Sequence, residues 1–301
     1  MTLQAALKSA ADRLKAIERD ASVRWMEAEI LLGFVIKKDR PWIVGHDRAL
    51  TKKEETAFNA LINRRLQHEP IAYLIGEREF LGRYFIVDKR VLIPRPETEE
   101  LVERAIAIMK KGRRHWLVAD IGTGSGAIAI SIKKELPDTT VFASDVSTAA
   151  LTLAKKNAKE LAADVTFIRG DLLCPALVKK ISASDAEALF IVANLPYLPD
   201  SDRAVLDPDV VDFEPASALF VESDGTKLMN ELLEQLATFH KKDGRDLVAY
   251  FEHDPPQTTA LIKHAKKLFS DADVTHETDS RCMDRFLLIK TTPPMHRGRK
   301  D

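Results

Sequence analysis

The sequence predicts an α/β protein in which a small helical-bundle domain precedes a seven-stranded Rossmann-like sheet. Three observations support this fold class. The first 70 residues show helical spacing without a strand pattern, and apolar runs of strand length then alternate with helical segments. The last two apolar runs lie too close together in the sequence for a crossover helix. At 301 residues the chain is long enough for two such domains.

Residues 1–70 are expected to form the helical bundle, because their apolar residues recur at spacings of three and four. The segment 39–41 contains a proline that interrupts the pattern, and Thr51 with Glu54 is typical of a capping box that opens a further helix. Residues 71–97 are predicted to be a linker that contains a short β-hairpin.

Residues 98–292 are predicted to form the sheet domain, which begins with a helix over 98–109. Crossover helices fit between the first four apolar runs, so those runs predict parallel strands covered on both faces. The last two runs should pair as an antiparallel hairpin. We expect residues 293–301 to be a disordered tail. The predicted strands are 116–121, 141–145, 165–168, 189–193, 247–252, 274–277 and 286–289.

The clearest local motif is the glycine-rich string DIGTGSG at 120–126, which follows a strand and opens a helix. Its glycines allow a tight turn and the close approach of a ligand to the backbone. Asp145 ends the next strand, where a carboxylate can accept hydrogen bonds from ribose hydroxyls. This arrangement fits either a nicotinamide dinucleotide or S-adenosylmethionine.

Two features favour S-adenosylmethionine. Ala127 stands where the third glycine of a dinucleotide loop belongs, although alanine is tolerated there. The carboxylate of Asp120, beside the loop, suits the cationic amino group of a methionine moiety and would repel a pyrophosphate. Asp171, after the third strand, is placed to accept a hydrogen bond from the adenine amine, and a helix N-cap explains it equally well.

The tetrapeptide Asn194-Leu195-Pro196-Tyr197 follows the fourth strand, at the sheet edge where such proteins bind ligands. An Asn side-chain oxygen and a backbone carbonyl could accept both N–H protons of a planar amino group and orient its nitrogen. Tyr197 could stack on that planar group. The pattern therefore predicts a substrate with a planar NH2 group, methylated on nitrogen.

Charge and cysteine content indicate which partners, metals and cellular compartment to expect. The formal net charge of −1 gives no reason to expect stable nucleic-acid binding. Cys174 and Cys282 are far apart and fit no metal-ligand pattern, so we expect free thiols, no metal and a reducing, cytoplasmic setting. No signal peptide or membrane-spanning run is recognisable, so we expect no membrane association.

The chain resembles the HemK/PrmC family of N5-glutamine methyltransferases, which modify the Gly-Gly-Gln glutamine of peptide chain release factors. The resemblance covers essentially the whole chain. Its most family-specific string is LIPRPETE at 92–99, close to the family's IPRPxTE. The other strings are EAEILL at 27–32, EPIAYLIG at 69–76, the loop at 120–129 and, more loosely, DRF at 284–286.

The resemblance implies a class I methyltransferase domain, with S-adenosylmethionine as cofactor and a release factor as protein partner gripped by the helical domain. A monomer is expected. The cofactor would be bound by Asp120, Gly122, Thr123, Gly124, Gly126, Asp145, Val146, Asp171, Leu172 and Asn194. The catalytic and substrate-binding residues would be Asn194, Leu195, Pro196 and Tyr197.

Arg95 and Glu97 would order the wall of the active site according to the same resemblance, although a structural salt bridge or a helix cap explains them equally well.

Leu195 departs from the family's usual Asn-Pro-Pro-Tyr and removes a restriction on Asn194, so the Asn194 side chain is expected to be less preorganised. Residues 251–254 also depart from the family pattern, and His253 suggests no site.

The predicted function is therefore methylation of the side-chain amide nitrogen (N5) of the Gly-Gly-Gln glutamine in release factors, a step connected with translation termination. One alternative is an adenine-N6 or other exocyclic-amine nucleic-acid methyltransferase, because the same tetrapeptide could orient the amino group of a base for methylation. The other is a dinucleotide-dependent dehydrogenase or a nucleotide-binding adaptor, against which the terminal hairpin, Asp120 and Asn194 argue.

Overall fold

A computed structural model describes residues 1–112 and 114–291 of the chain. The predicted disordered tail at 293–301 lies outside the described residues. The described residues divide into two compact units, Met1–Glu77 with Leu206–Phe213, and Arg78–Val205 with residues 214–291. The return of Leu206–Phe213 to the first unit is a feature that the division proposed from the sequence does not contain.

The first unit is helical, as its apolar spacing predicts. Its core is formed by small and branched aliphatic side chains from α1, α2 and α4. The predicted capping box is confirmed, because Thr51 Oγ1 accepts from the Glu54 amide while the Glu54 carboxylate accepts from the Thr51 amide. The helices are α1 (Leu3–Leu14), α2 (Ala21–Ile36), α3 (Arg40–Gly45), α4 (Lys52–Arg65) and α5 (Ile71–Ile75).

A buried ion pair joins α2 to the end of α4. Arg65 donates from Nε and Nη2 to the two carboxylate oxygens of Glu27, at 3.0 and 2.9 Å. Both side chains are about nine-tenths buried. Asp209, on the returning segment of the same unit, lies 3.6 Å from Arg65 Nη1. A buried pair with bidentate geometry keeps two charges compensated where water cannot solvate them.

The predicted linker contains the short helix α5 and then the predicted hairpin. Strands β1 (Glu77–Phe80) and β2 (Arg83–Ile86) form a two-stranded sheet, with Leu81 and Gly82 between them at positive φ angles of 49° and 70°. The helix predicted over 98–109 is present and longer, running from Pro96 to Gly112 as α6.

The seven-stranded sheet is confirmed, with the order β10-β11-β9-β6-β3-β4-β5. The first five strands of this sheet along the chain are parallel to one another, and the last two form the predicted antiparallel hairpin, of which β11 also pairs antiparallel with β9. The strands are β3 (Trp116–Ile121), β4 (Thr140–Asp145), β5 (Thr166–Arg169), β6 (Ala188–Ala193), β9 (Asp246–Glu252), β10 (Ala272–Thr278) and β11 (Asp284–Thr291).

Helices cover both faces of this sheet. On β3 the side chains of Leu117, Ala119 and Ile121 enter one apolar cluster, whereas those of Trp116 and Val118 enter the other. This alternation follows from the two-residue period of a strand, and it explains why the parallel strands are apolar on both faces along most of their length. The covering helices after α6 are α7 (Ala127–Glu135), α8 (Thr148–Glu160), α9 (Pro175–Ser182), α12 (Lys227–Asp243) and α13 (Thr258–Leu268).

Short elements separate β6 from α12. They are the two-residue strands β7 (Leu198–Pro199) and β8 (Phe220–Val221), which pair in parallel, and the helices α10 (Pro208–Val211) and α11 (Ala216–Leu219). One-turn 3-10 helices occupy Asp200–Ala204 and Pro255–Gln257. Among the described residues, no helix has the length and apolar composition needed to cross a membrane.

The strand register sets which loops meet at the carboxyl edge. Ile121 of β3 is level with Ala193 of β6, and Ala193 is level with Phe251 of β9. The residues that follow these strands therefore emerge side by side. The chain runs outward from β3 through β4 and β5 and then crosses back to β6, so β3 marks the point where the strand order reverses and where ligands bind in such sheets.

We expect Arg65→Met to lower the free energy of unfolding by about 3–5 kcal/mol, because it leaves the Glu27 carboxylate buried without a cation. Urea denaturation followed by circular dichroism measures the effect. Adding Glu27→Leu should recover much of the loss, since no charge then remains buried. Arg64→Met, in the exposed pair with Glu69, is the matched control and should cost about 1 kcal/mol or less. Equal losses in the two single variants would contradict the role of the buried pair.

Candidate active site

A cleft of about 460 Å³ opens at the carboxyl edge of the seven-stranded sheet. All the residues that line it belong to the second unit. Its walls come from the segments after β3, β4, β5 and β6, together with residues 89–92, Thr98 and residues near α11. Ten residues predicted for the site line it: Gly122, Thr123, Gly124, Asp145, Val146, Asp171, Leu172, Asn194, Leu195 and Pro196. Of the other predicted residues, Asp120, Gly126, Tyr197, Arg95 and Glu97 are not among the lining residues.

The glycine-rich loop is held against the end of β4. The backbone amides of Gly122 and Thr123 both donate to the Ser144 carbonyl at 2.9 Å. Gly122 has a φ of 74°, and a Cβ atom at this position would lie only 2.9 Å from Leu195 Cδ2. Glycine is therefore favoured here by the backbone conformation, and a larger residue would also displace the end of the Leu195 side chain.

Asp145 lies between the loop and the helix that follows β4. Its Oδ2 accepts from the Gly124 amide at 2.9 Å, and its Oδ1 accepts from the Ser147 amide at 2.8 Å. Burial raises the pKa of this carboxyl group, and the two backbone hydrogen bonds oppose the shift. A carboxylate has further lone pairs on each oxygen, so Asp145 can still accept from ribose hydroxyls in the cleft.

Asp120 lies beneath the loop and is completely buried. Its Oδ2 accepts from Thr123 Oγ1 at 2.6 Å and from the Ala129 amide at 3.2 Å. Within the described residues its Oδ1 has no hydrogen-bond partner. Burial raises the pKa of Asp120 to about 7. The structure thus shows Asp120 supporting the loop from behind, and its carboxylate does not line the cleft.

Asp171 and Leu172 line the cleft on the side of β5, and Leu172 has a φ of 45°. The alternative interpretation of Asp171 as a helix N-cap is wrong. The next helix, α9, begins at Pro175, and Cys174 occupies its N-cap position. The position of Asp171 beside the cleft leaves its carboxylate available to a ligand.

Asn194 is half-buried at the end of β6, and its amide is held from behind. Asn194 Nδ2 donates to Thr98 Oγ1 at 2.9 Å, and Thr98 Oγ1 donates to Glu252 Oε2 at 2.7 Å. Sequence reasoning missed both partners. Thr98 belongs to the family-like string at 92–99, and the register of β6 and β9 places Glu252 level with Asn194.

Tyr197 does not line the cleft, so the structure does not show the predicted stacking surface there. Its hydroxyl donates to Glu252 Oε1 at 3.4 Å, and its carbonyl accepts from Gln257 Nε2 at 2.7 Å. Burial raises the pKa of the Tyr197 phenol well above its usual value. A Cβ atom on Gly225, whose φ is 81°, would collide with the Tyr197 carbonyl. The end of the tetrapeptide is therefore packed tightly from two sides.

Arg95 and Glu97 form ion pairs with other residues, not with each other. Arg95 Nη2 lies 2.5 Å from Glu214 Oε1, and the Ile93 amide donates to Glu214 Oε2 at 2.9 Å. Glu97 lies in the first turn of α6 and pairs with Arg281. The sequence could not have identified these partners, because each is more than 100 residues away. Both pairs fix the polypeptide next to Thr98.

The residues of the cleft fit S-adenosylmethionine. The loop backbone is open at Gly124, where a Cβ atom would meet nothing within 4 Å. Carboxylates at Asp145 and Asp171 suit ribose and adenine donors, and the partnerless Oδ1 of the buried Asp120 favours a cation near the loop. No cluster of three or more potential metal ligands occurs among residues 1–112 and 114–291.

A parallel sheet that ends in an antiparallel hairpin, with this cleft at its carboxyl edge, defines a Rossmann-like methyltransferase that uses S-adenosylmethionine. Residues 5–76 match the PrmC N-terminal domain, and residues 102–201 match the Methyltransferase small domain. A release factor glutamine methyltransferase of Bacillus anthracis is 37% identical over 96% of this chain and 99% of its own. The chain belongs to the release factor glutamine methyltransferase family.

Two further relatives are also release factor glutamine methyltransferases. The protein from Enterococcus faecalis is 35% identical over 83% of this chain and 86% of its own. The protein from Bordetella pertussis is 40% identical over 70% of this chain and 76% of its own. The similarity therefore extends across both the helical unit and the sheet unit.

Asp120 should make the stability of the protein depend on pH. An Asp in an unfolded chain has a pKa of about 3.9, whereas burial raises that of Asp120 to about 7. The folded state then binds the proton more tightly, so the free energy of unfolding falls as pH rises between these two values, by up to about 1.4 kcal/mol per pH unit. Asp120→Asn should abolish this contribution when unfolding is measured from pH 5 to 8, with Asp138→Asn as an exposed control. Parallel curves for the parent and Asp120→Asn would contradict the assignment.

Asp145→Ala should weaken the binding of S-adenosylhomocysteine by about 10- to 100-fold, because it removes a charged acceptor and releases the Gly124 amide. Isothermal titration calorimetry measures the dissociation constant. Asp164→Ala, a surface carboxylate outside the cleft, controls for the change in net charge. An unchanged dissociation constant in Asp145→Ala would show that this carboxylate does not contact the ligand.

Proposed function

We propose that this protein transfers a methyl group from S-adenosylmethionine to the side-chain amide nitrogen (N5) of the glutamine in the Gly-Gly-Gln motif of a peptide chain release factor. The observation that carries the proposal is the Asn194 amide at the edge of the cofactor cleft, with Nδ2 bonded to Thr98. Its Oδ1 is then the atom available to accept from a substrate. The assignment of these relatives as release factor glutamine methyltransferases supports the choice of a release factor.

An amide nitrogen is a weak nucleophile because its lone pair is delocalised into the carbonyl group. Two acceptors, Asn194 Oδ1 and the Leu195 carbonyl, would hold both N–H groups of the glutamine and orient the nitrogen towards the cofactor. They would also stabilise the positive charge that the nitrogen gains during transfer. S-adenosylmethionine supplies a methyl group on a cationic sulfur. The methylated nitrogen is acidic, so water suffices to take its proton and no strong base is required.

Leu195 replaces the first proline of the family's usual tetrapeptide. Any residue supplies the backbone carbonyl, and Pro196 still favours an extended conformation at Leu195. The Leu195 side chain is buried and packs within the apolar cluster on one face of the sheet. The chemistry is therefore retained, and the orientation of Asn194 depends on its hydrogen bond to Thr98 rather than on a proline.

The helical unit is proposed to recognise the release factor, and the protein is proposed to act as a cytoplasmic monomer. Residues 5–76 match the N-terminal domain model of the family. Since S-adenosylmethionine binds in the sheet unit, a separate unit is available for a protein partner. The free thiols of Cys174 and Cys282 are compatible with a reducing compartment.

A nucleic-acid methyltransferase is the second class that the tetrapeptide would suit. The formal net charge of −1 and the names of the relatives do not favour it. A dehydrogenase is disfavoured by the hairpin β10–β11, which is absent from six-stranded dinucleotide folds. We therefore retain the glutamine of a protein as the proposed acceptor.

Incubation with methyl-labelled S-adenosylmethionine and a release-factor domain tests the proposal directly. We expect label on the Gly-Gly-Gln glutamine, and none when that glutamine is replaced by alanine in the substrate. Asn194→Ala should lower kcat by about 100- to 1000-fold, because one oriented acceptor is lost. Asn230→Ala, which removes an amide outside the cleft, serves as the matched enzyme control. Label on DNA or RNA instead of the glutamine would overturn the proposal.

A further inference from the structure

Three polar side chains from three separate elements form a buried chain behind the cleft. Glu252 ends β9, Thr98 lies in the first turns of α6, and Asn194 follows β6. Glu252 is 1% exposed and Thr98 is 5% exposed. The two hydrogen bonds measure 2.7 Å between Thr98 Oγ1 and Glu252 Oε2 and 2.9 Å between Asn194 Nδ2 and Thr98 Oγ1. Only Asn194 and Thr98 reach the cleft lining.

The direction of the hydrogen bonds in this chain follows from the chemistry of its members. An ionised carboxylate can only accept hydrogen bonds, and a threonine hydroxyl has a single proton to donate. If Thr98 gives that proton to Glu252, its oxygen can only accept from Asn194. The amide must then turn Nδ2 towards Thr98, and Oδ1 becomes its free acceptor. The orientation of the amide is thus fixed by the carboxylate two hydrogen bonds away.

The reverse direction would damage the site. A protonated Glu252 could donate to Thr98, and Thr98 could then donate to Asn194 Oδ1. The amide would present Nδ2 to the substrate, so a donor would face the N–H groups of the glutamine. Such a contact repels the substrate nitrogen and removes the acceptor on which the proposed transfer depends.

The contacts around Glu252 place a donor at each carboxylate oxygen and oppose its protonation, although burial has the larger effect and leaves the pKa of this carboxyl group above its usual value. Burial raises the pKa of Glu252, whereas the Thr98 hydrogen bond, the charges of Arg285 and Arg95 and the Tyr197 hydrogen bond lower it. The Tyr197 hydroxyl lies 3.4 Å from Glu252 Oε1, so each carboxylate oxygen faces a donor. Burial also raises the pKa of Tyr197, which keeps its proton available for donation.

We propose that Glu252, acting through Thr98, is a positioning residue that holds the Asn194 amide with Oδ1 facing the substrate glutamine. The inference rests on the function proposed above and adds the hydrogen-bonded chain that orients its acceptor residue, Asn194. Glu252 does not contact the substrate or the cofactor in this scheme, and it acts only by fixing which atom of Asn194 faces the cleft. Because the tetrapeptide lacks its first proline here, this chain of hydrogen bonds supplies the missing restriction on Asn194.

The first experiment compares Thr98→Val with Thr98→Ser. Valine has nearly the shape of threonine and no hydroxyl, whereas serine keeps the hydroxyl and loses a methyl group. We expect Thr98→Val to lower kcat for the release-factor domain by about 10- to 100-fold, with KM changed by less than about threefold. Thr98→Ser should recover kcat to within about threefold of the parent. Equal activity losses in the two variants would overturn the inference, since shape and not the hydroxyl would then matter.

The second experiment tests whether Glu252 acts through Thr98. Glu252→Gln can donate as well as accept, so it no longer imposes one direction, and kcat should fall by about tenfold. In the double variant with Thr98→Val, the loss should not exceed that of Thr98→Val alone by more than about twofold. Independent, multiplying losses would show that Glu252 acts by another route and would overturn the inference.

A third measurement needs neither substrate nor cofactor. Hydrogen bonding of Asn194 Nδ2 moves its amide protons downfield in the NMR spectrum, and we expect this shift in the parent and in Thr98→Ser but not in Thr98→Val. An unchanged Asn194 signal in Thr98→Val would overturn the inference whatever the activity. If the signals behave as expected and the parent does not label the glutamine, the proposed function fails while the positioning of Asn194 stands.

A matched control separates this role from loss of stability. Thr291→Val removes a hydroxyl that is hydrogen-bonded to the Leu247 backbone, at the opposite end of β9 from Glu252. Thr291 lies outside the cleft, so its variant should keep the kcat of the parent even where its melting temperature falls as far as that of Thr98→Val. A similar fall in kcat for Thr291→Val would attribute the effect of Thr98→Val to stability and overturn the inference.

Discussion

The parallel pairing of β6 between β3 and β9 is the constraint on which the site depends. Hydrogen bonds fix Ala193 level with Ile121 on one side and with Phe251 on the other. The residues after these positions are Gly122, Asn194 and Glu252. A slip of one residue in either register would turn each side chain to the opposite face of the sheet. The glycine-rich loop, the Asn194 amide and the buried Glu252 carboxylate are therefore aligned by backbone pairing.

Much of this architecture could be predicted from the sequence because its signals are local. Apolar runs bounded by turns marked all seven strands of the large sheet, and the eight residues between the last two runs required a hairpin. The glycine-rich string could be placed between a strand and a helix from its neighbours alone. Ten of the predicted site residues line one cleft because they all follow parallel strands at the same edge.

The features that the sequence did not predict involve partners distant in sequence or the direction in which a side chain points. Asp120 was expected beside the loop as a partner for a cationic amino group, and the structure shows it buried beneath the loop, where it accepts a hydrogen bond from Thr123. Tyr197 was expected to stack on substrate, yet its hydroxyl faces Glu252. Arg95 pairs with Glu214, 119 positions away, and no local pattern connects them. Periodicity reports which face of an element is apolar, and it contains no information on which polar groups meet across the fold.

The path of the chain between β7 and β8 also affects how the protein can be divided. The segment Leu206–Phe213 leaves the sheet unit, contributes to the helical unit and then returns, so the polypeptide connects the two units three times. Deleting the first 77 residues would therefore not release an intact catalytic domain. It would leave residues 206–213 without the rest of their unit, and Asp209 would lose its ion-pair partner Arg65. This segment follows the tetrapeptide 194–197 closely in the sequence. Gene fusions, truncations and domain exchanges of this protein must treat its helical unit as discontinuous.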